Sequence, residues 1–291
     1  MIVFPHAKIN LGLHITGKLG ADNRDYADYH RIETVLYPVG MHDALEVIES
    51  NHHVNRIFLT GHPLPKDNKS NLCLQAIEVL SDYLSEQLPP LDIHLHKGIP
   101  VGAGLGGGSS DATHMLLLLN KMFQLDISEE VLYSLSARLG SDCPFFLFKK
   151  PMLATGRGDI LREVGVHAME NKHLLIIVPP IHISTANAYQ HIQPAQPASS
   201  IPDILSGDIS KWKHQLVNQF EELVCAWHPA IKDIIEVLKK MGASYAALSG
   251  SGSAVFGIFN HPPDMHILKQ TFPTALVKTA ETGVFEKSLN L

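Results

Sequence analysis

From Ala7 to Ile15 the chain places an apolar residue at every second position: Ala7, Ile9, Leu11, Leu13 and Ile15. Lys8, Asn10, Gly12 and His14 fall between them. A period of two predicts a strand with one buried and one polar face. A polar stretch, Gly17 to His30, precedes a second strand around Ile32 to Tyr37, and the patterning predicts further strands over Ala44–Glu49, Arg56–Gly61 and Asp92–His96. Asn71–Leu84 reads as a helix, with Leu72, Ile77, Leu80 and Leu84 as its apolar positions. A strongly apolar run from Met115 to Leu119 predicts a buried helix over about Ser110–Phe123. Ser128 followed by Glu129 and Glu130 opens another helix that Gly140 ends. Phe145–Lys149 reads as a short strand, and Leu174–Pro180 as a buried strand stopped by two prolines. Pro194–Ser206 reads as an exposed loop, Trp212–Met241 as mostly helix, and Ala243–Phe259 as strand, glycine turn, strand.

The segment between Pro100 and Thr113, PVGAGLGGGSSDAT, breaks every periodicity. Glycines bring backbone amides close to a ligand because no Cβ intervenes. A helix starting at Ser109 and Ser110 would aim its unpaired amides and positive dipole end into the same loop. Together these make a cradle for an anion, most often a phosphate. Gly102, Gly104 and Gly107 match the spacing of the dinucleotide fingerprint, but the strand before them alternates instead of being apolar throughout. The acidic residue about 20 positions on would be Asp126, in a connection between helices. The phosphate loop of the P-loop enzymes needs a lysine where Gly108 stands.

The bulk numbers narrow the function classes. The 291 residues suffice for one large or two ordinary domains. A net charge of −6 with no basic face argues against a nucleic-acid partner. Eighteen histidines are scattered without the spacing of a zinc site. Cys73, Cys143 and Cys225 are odd in number and far apart, as expected of reduced thiols in a cytoplasmic protein. The N-terminal MIVFPHAKIN predicts no secretory signal, and no apolar run is long enough to span a membrane.

Three segments in order resemble the motifs of the GHMP kinase family: Pro5–Gly17, the glycine loop, and Ala247–Phe259. The Tyr29-His30 pair, Leu139–Leu147, Ala154–Leu161 and Val178–Tyr189 make the chain most similar to members acting on a cytidine diphosphate-linked methylerythritol. The resemblance implies a two-domain α+β fold. An ATP-binding unit over 1–157, similar to ribosomal protein S5 domain 2, would precede a ferredoxin-like unit over 158–291. It also implies ATP and Mg²⁺ as cofactors, a small-molecule acceptor, and a monomer or homodimer.

The same resemblance assigns roles that single residues do not reveal. Nucleotide contacts fall to Asn71, Lys97, Pro100, Val101, Gly102, Ala103, Gly104, Leu105, Gly106, Gly107, Gly108, Ser109 and Ser110, with the two serine hydroxyls as candidates for helping hold Mg²⁺. Asp142 becomes the base for the acceptor hydroxyl, with Lys8 beside it and Asn10 on the same face. Tyr29, His30 and Tyr189 become the reader of a cytosine, and Thr185 a polar contact. In isolation each has a plainer reading: Lys8 as a surface lysine, Lys97 as a solvated strand end, Asp142 as a turn residue. Rival readings are another small-molecule kinase or diphosphomevalonate decarboxylase of this family, and a non-catalytic nucleotide binder. The chain departs from the family's Asp-Gly-Tyr-His pattern, reading Ala27-Asp28-Tyr29-His30 without the glycine, so that Tyr26 competes with Tyr29 for the stacking role. His6 and Thr113 replace small residues.

Overall fold

The computed structural model describes residues 1–20, 29–63, 71–280 and 282. In chain order the first half contains β1 (Ile2–Val3), β2 (His6–Lys18), β3 (His30–His42), β4 (Ala44–Glu49), β5 (Arg56–Gly61), α1 (Leu72–Leu84), β6 (Leu91–Lys97), α2 (Gly107–Met122) and α3 (Glu129–Leu139). The hairpin β7 (Met152–Thr155) and β8 (Ile160–Glu163) follows. The second half contains β9 (His173–Val178), α4 (Thr185–His191), α5 (Ile201–Leu205), α6 (Ile209–Gln215), α7 (Phe220–Trp227), α8 (Pro229–Lys240), β10 (Tyr245–Leu248), β11 (Val255–Phe259), α9 (Met265–Thr271) and β12 (Leu276–Ala280).

These strands build three four-stranded sheets, ordered β1-β4-β6-β5, β2-β3-β7-β8 and β10-β11-β9-β12. The first carries a parallel pair, β5 with β6, and is covered by α1, α2 and α3. The last is antiparallel throughout, and its β9, helices, β10, β11, α9, β12 succession is the ferredoxin-like arrangement. Ala7, Ile9 and Leu11 of β2 share a core with Leu174 and Ile176 of β9 and Phe256 of β11. The two halves therefore meet through continuous apolar packing, which opposes free motion between them.

Local chemistry explains most of the boundaries. Asn71 caps α1 by accepting the Cys73 amide at 2.9 Å, and Ser128 caps α3 through the Val131 amide. Ser85 ends α1 in the left-handed region.

Several expectations are corrected. β2 is not half-buried: Lys8, Asn10 and His14 are buried as well as the apolar set, because the sheet is covered on both sides. Nor does one face carry all five apolar residues. The register shifts between Leu11 and Leu13, Gly12 has φ +71°, and Leu13 and Ile15 join a different core from Leu11, as a bulge requires. Phe145–Lys149 is no strand; Cys143–Leu147 form a 3-10 turn with Pro144 near its start. Phe145 and Phe146 are buried against Leu36, Met152 and Ala154, so the apolar run is satisfied without strand pairing. Within the predicted loop Pro194–Ser206, Ser200 caps the short helix α5, whose Ile201, Ile204 and Leu205 are buried. The helix after the glycine loop also starts earlier than Ser110, at Gly107; a Cβ on Gly107 would stand 3.0 Å from Ile99. The β7–β8 hairpin and the 260–280 segment carry weak periodicity and are not legible in the sequence.

His6 and His114, ring centroids 5.6 Å apart, sit behind the cleft, His6 against Phe145 and Phe146. Burial lowers both from the usual 6.5, His6 to about 3 and His114 to about 4. They stay neutral in the fold while the unfolded chain protonates them below 6.5, so stability falls as pH drops from 6.5 toward 4 and 3. Urea midpoints measured across that window will decline, and a His6→Phe, His114→Leu double variant will decline less steeply.

Candidate active site

The glycine loop leads from β6 into α2 and is held in place from three sides. Gly102, Gly104 and Gly106 have φ of +67°, +80° and +73°, conformations that side chains rarely adopt. A Cβ on Gly104 would collide with the Ser249 carbonyl. Ser249 Oγ donates to Gly104 O at 2.9 Å, Ala254 N to Ala103 O at 3.0 Å and Lys8 N to Leu105 O at 2.9 Å. Within α2, Ser110 N already donates to Gly106 O. The amides of Gly107, Gly108 and Ser109 are left without an acceptor inside the helix, and the dipole adds positive potential there.

A cavity of about 330 Å³ opens onto this loop. Asn71, Lys97, Pro100, Val101, Gly102, Ala103, Gly104, Gly106, Gly107, Gly108 and Ser109 line it. Two predicted contacts do not. Leu105 is buried and contributes its side chain to the core. Ser110 is fully buried with its hydroxyl toward His114 Nδ1 at 3.4 Å, so the first turn of the helix carries it away from the loop's open side.

Lys97 is neither a solvated strand end nor a free cation for the nucleotide. Its Nζ donates to Asp43 and Asp111, all three side chains being almost completely buried. Burial alone would lower its pKa, but the two carboxylates overcome that and raise it. Burial pushes Asp111 up, and neighbouring Asp43 adds to the effect against the pull of Lys97. Asp43 Oδ1 also accepts the Ile99 amide at 2.8 Å. The trio thus pins the entry of the loop to the β3–β4 junction and to α2. Sequence reasoning missed both aspartates. Asp111 had one signal, its place directly after the two serines of the glycine loop; Asp43 had none.

A second, larger cavity of about 1010 Å³ adjoins the first, and Gly104, Gly106 and Ser109 line both. Its floor is a polar row. Lys8 Nζ lies 3.3 Å from Asp142 Oδ2 and donates to Asn10 Oδ1 at 2.6 Å. Asn10 Nδ2 donates to Thr34 Oγ1 at 3.0 Å, and Thr34 Oγ1 to Gly12 O at 2.6 Å. Asp142 begins the 3-10 turn, as the plainer reading has it, yet makes no capping bond with its side chain, and the carboxylate faces the cleft. Thr113 Oγ1 donates to Cys143 O at 2.7 Å. The departure from the family pattern at position 113 therefore anchors the turn that carries Asp142.

The far end of the same cavity holds rings. Tyr29, His30 and Tyr189 line it, together with Lys18, Arg157 and Thr185. His30 lies against Tyr189, centroids 5.2 Å apart and tilted 30°, and Tyr189 meets Phe220 edge-on. Burial lowers the His30 pKa, with Lys18 adding to it, so a neutral imidazole, one nitrogen a donor and the other an acceptor, borders the cavity. Tyr29 is 47% exposed at the rim, with the Arg157 guanidinium 5.9 Å from its ring centroid. Tyr26, its competitor, lies outside the described residues. Thr185 Oγ1 and Ser251 Oγ are 2.8 Å apart.

Comparison with known proteins matches these features. Residues 71–150 fit the model of the GHMP kinases N terminal domain and residues 200–277 that of the GHMP kinases C terminal domain. The 4-diphosphocytidyl-2-C-methyl-D-erythritol kinase of Parabacteroides distasonis is 42% identical over 262 residues, covering 90% of this chain and 93% of that one. The chain belongs to the GHMP kinase family. The enzyme of the same name from Cytophaga hutchinsonii is 43% identical over 264 residues, covering 91% of this chain and 94% of that one. A crystal structure of 4-(cytidine 5'-diphospho)-2C-methyl-D-erythritol kinase superposes with a TM-score of 0.75 at 25% identity, over 97% of this chain and 100% of that one. The GHMP fold also covers homoserine kinase from Cytophaga hutchinsonii, TM-score 0.70 at 18% identity, over 97% of this chain and 95% of that one.

In this GHMP kinase the Lys97 trio makes a prediction that separates a structural cation from a nucleotide contact. Lys97→Met leaves two carboxylates facing each other in the interior, and removing one partner of a buried pair costs about 3–5 kcal/mol. Urea denaturation at pH 7 will show that loss, and the deficit will shrink toward pH 5 as Asp111, pushed up by burial and relieved of the pull of Lys97, takes up a proton. A lysine serving the nucleotide alone would leave the urea midpoint unchanged.

Proposed function

We propose that the chain transfers the γ-phosphate of ATP to the 2-hydroxyl of 4-diphosphocytidyl-2-C-methyl-D-erythritol, a step in isoprenoid precursor synthesis. The observation that carries this reading is the pairing of ends in the larger cavity. Lys8 and Asp142 sit beside the glycine loop, while His30, Tyr189 and Tyr29 form a ring-lined pocket at the other end. An aliphatic acceptor has no use for such a pocket; a pyrimidine does, since rings stack on its faces and an imidazole bonds its edge. Relatives bearing that enzyme's name at 42% and 43% identity support it.

The donor's phosphates are held by the amides of the loop and the start of α2. Asp142 accepts the proton of the acceptor hydroxyl as that oxygen attacks phosphorus. Lys8, 3.3 Å away, pairs with the carboxylate and offsets charge on the transferring group. Asn10 orients Lys8 by accepting a hydrogen bond from its ammonium. Among the described residues no cluster of three acidic, histidine or cysteine side chains could cage a metal. The oxygen donors present, Ser109 and Asp142, suit a hard cation that keeps most of its bonds to phosphate and water, as Mg²⁺ does. Mg²⁺ held there would neutralise phosphate charge. The division of the chain at 157/158, which falls in the β7–β8 turn, belongs to the same proposal. So do a cytoplasmic setting, a monomeric or homodimeric state, and no nucleic-acid or membrane partner. No helix among the described residues is long and apolar enough to cross a membrane.

The purified protein, given Mg·ATP with this acceptor, homoserine, mevalonate or galactose, will release ADP with the first alone. Release with another acceptor reassigns the substrate. Asp142→Asn will lower turnover by about 10²- to 10⁴-fold while calorimetry finds nucleotide affinity retained; undiminished turnover removes Asp142 from the mechanism.

A further inference from the structure

The third glycine turn, Ser249–Gly252, touches both sides of the reaction cleft. Ser249 Oγ holds Gly104 O at 2.9 Å. Gly250, at φ +57°, faces both: a Cβ there would be in ordinary contact, 3.4 Å from Asn10 Oδ1 and 3.5 Å from Gly104 Cα. A turn with two glycines has little stiffness of its own, so its place must be imposed from outside. Asn218 does so. It is 3% exposed, and its carboxamide is fully engaged. Nδ2 donates to Leu248 O at 2.9 Å and to Gly250 O at 2.8 Å, while Oδ1 accepts the Phe220 amide at 3.0 Å. Few side chains offer two donors and an acceptor in so small a volume. Asn218 is itself fixed to β2: Leu13 N donates to Val217 O and Gln219 N to Leu13 O, both at 2.9 Å, and the Gln219 side chain accepts the Ile15 amide.

We propose that Asn218 is a positioning residue for phosphoryl transfer. It locks the third turn to the strand that carries Lys8 and Asn10, and through Ser249 it sets the glycine loop at a fixed distance from that polar row. Asn218 lies outside the lining of the cleft; it acts through Gly250 and Ser249. The inference rests on the reading of the cleft as the site of transfer from ATP to the acceptor. Rates of such steps fall steeply with misalignment, about a hundredfold for about 1 Å.

Asn218→Ser and Asn218→Asp are compared with the wild type using Mg·ATP and 4-diphosphocytidyl-2-C-methyl-D-erythritol. We expect kcat to fall by about 10- to 100-fold with KM for either substrate changed by less than about threefold, the mark of an interaction that matters in the transition state. Amide exchange will quicken at 250–254 and 103–105 and stay unchanged in α1. Combined with Ser249→Ala, the loss in kcat will be less than the product of the single losses, because both act through one contact. Retained kcat, unchanged exchange in the loop, or fully multiplicative losses would overturn the proposal. If the Asn218 variants fold poorly, Ser249→Ala alone decides, since unchanged kcat there breaks the linkage. A wild type without turnover on any acceptor sinks the reading of the cleft instead, and the exchange data still decide whether Asn218 clamps the turn.

Discussion

Two stretches of backbone touch at the centre of this molecule, and the rest is arranged around that touch. Gly104 approaches the Ser249 carbonyl so closely that no Cβ fits between them, and the Ser249 hydroxyl returns a bond to Gly104 O. One stretch comes from the first half of the chain, the other from the second. Their contact fixes the anion cradle relative to the polar row on β2, and the shared core of the second and third sheets keeps it there. Glycine is needed less for mobility than for proximity: the loop is bonded at Ala103, Gly104 and Leu105.

Charge is distributed in two tiers with different roles. Beneath the loop, Lys97 is consumed by Asp43 and Asp111 in the interior, where two acids outnumber one base. That tier contributes geometry, by tying strand, helix and the Ile99 amide together, and offers no free cation to a phosphate. Above it, Lys8 is buried yet borders the cleft, shared between Asp142 and Asn10. The groups that border the two cavities and favour an anion are main-chain amides, the start of α2 with its dipole, and Lys8. The histidines follow a similar division. His6 and His114 are kept neutral as packing groups, whereas His30 is neutral at the edge of a pocket.

Two departures from the family pattern fall among the described residues, and each has a structural partner. Thr113 anchors the Asp142 turn through Cys143 O, and His6 fills an aromatic niche beside Phe145 and Phe146. Where binding specificity would reside, the structure offers a ring pair, His30 with Tyr189, backed by Phe220.

Local signals in the sequence determined the elements. Patterning gave β4 and β5 with their ends, a serine cap gave the start of α3, and the glycine-serine run marked the loop that leads into α2. Resemblance supplied the pairing of Lys8 with Asp142, which no period or spacing reveals, because the two are 134 positions apart. Tertiary structure alone decided the rest. A run of aromatic residues became a 3-10 turn because a small core was waiting for it. A predicted loop became α5 because β2 and β3 offered Ile201 a place to bury. Lys97 became an interior cation, and Asn218, an ordinary polar residue by sequence, became a clamp. In each case the free energy came from burial and from partners far along the chain, and a sequence read locally contains neither.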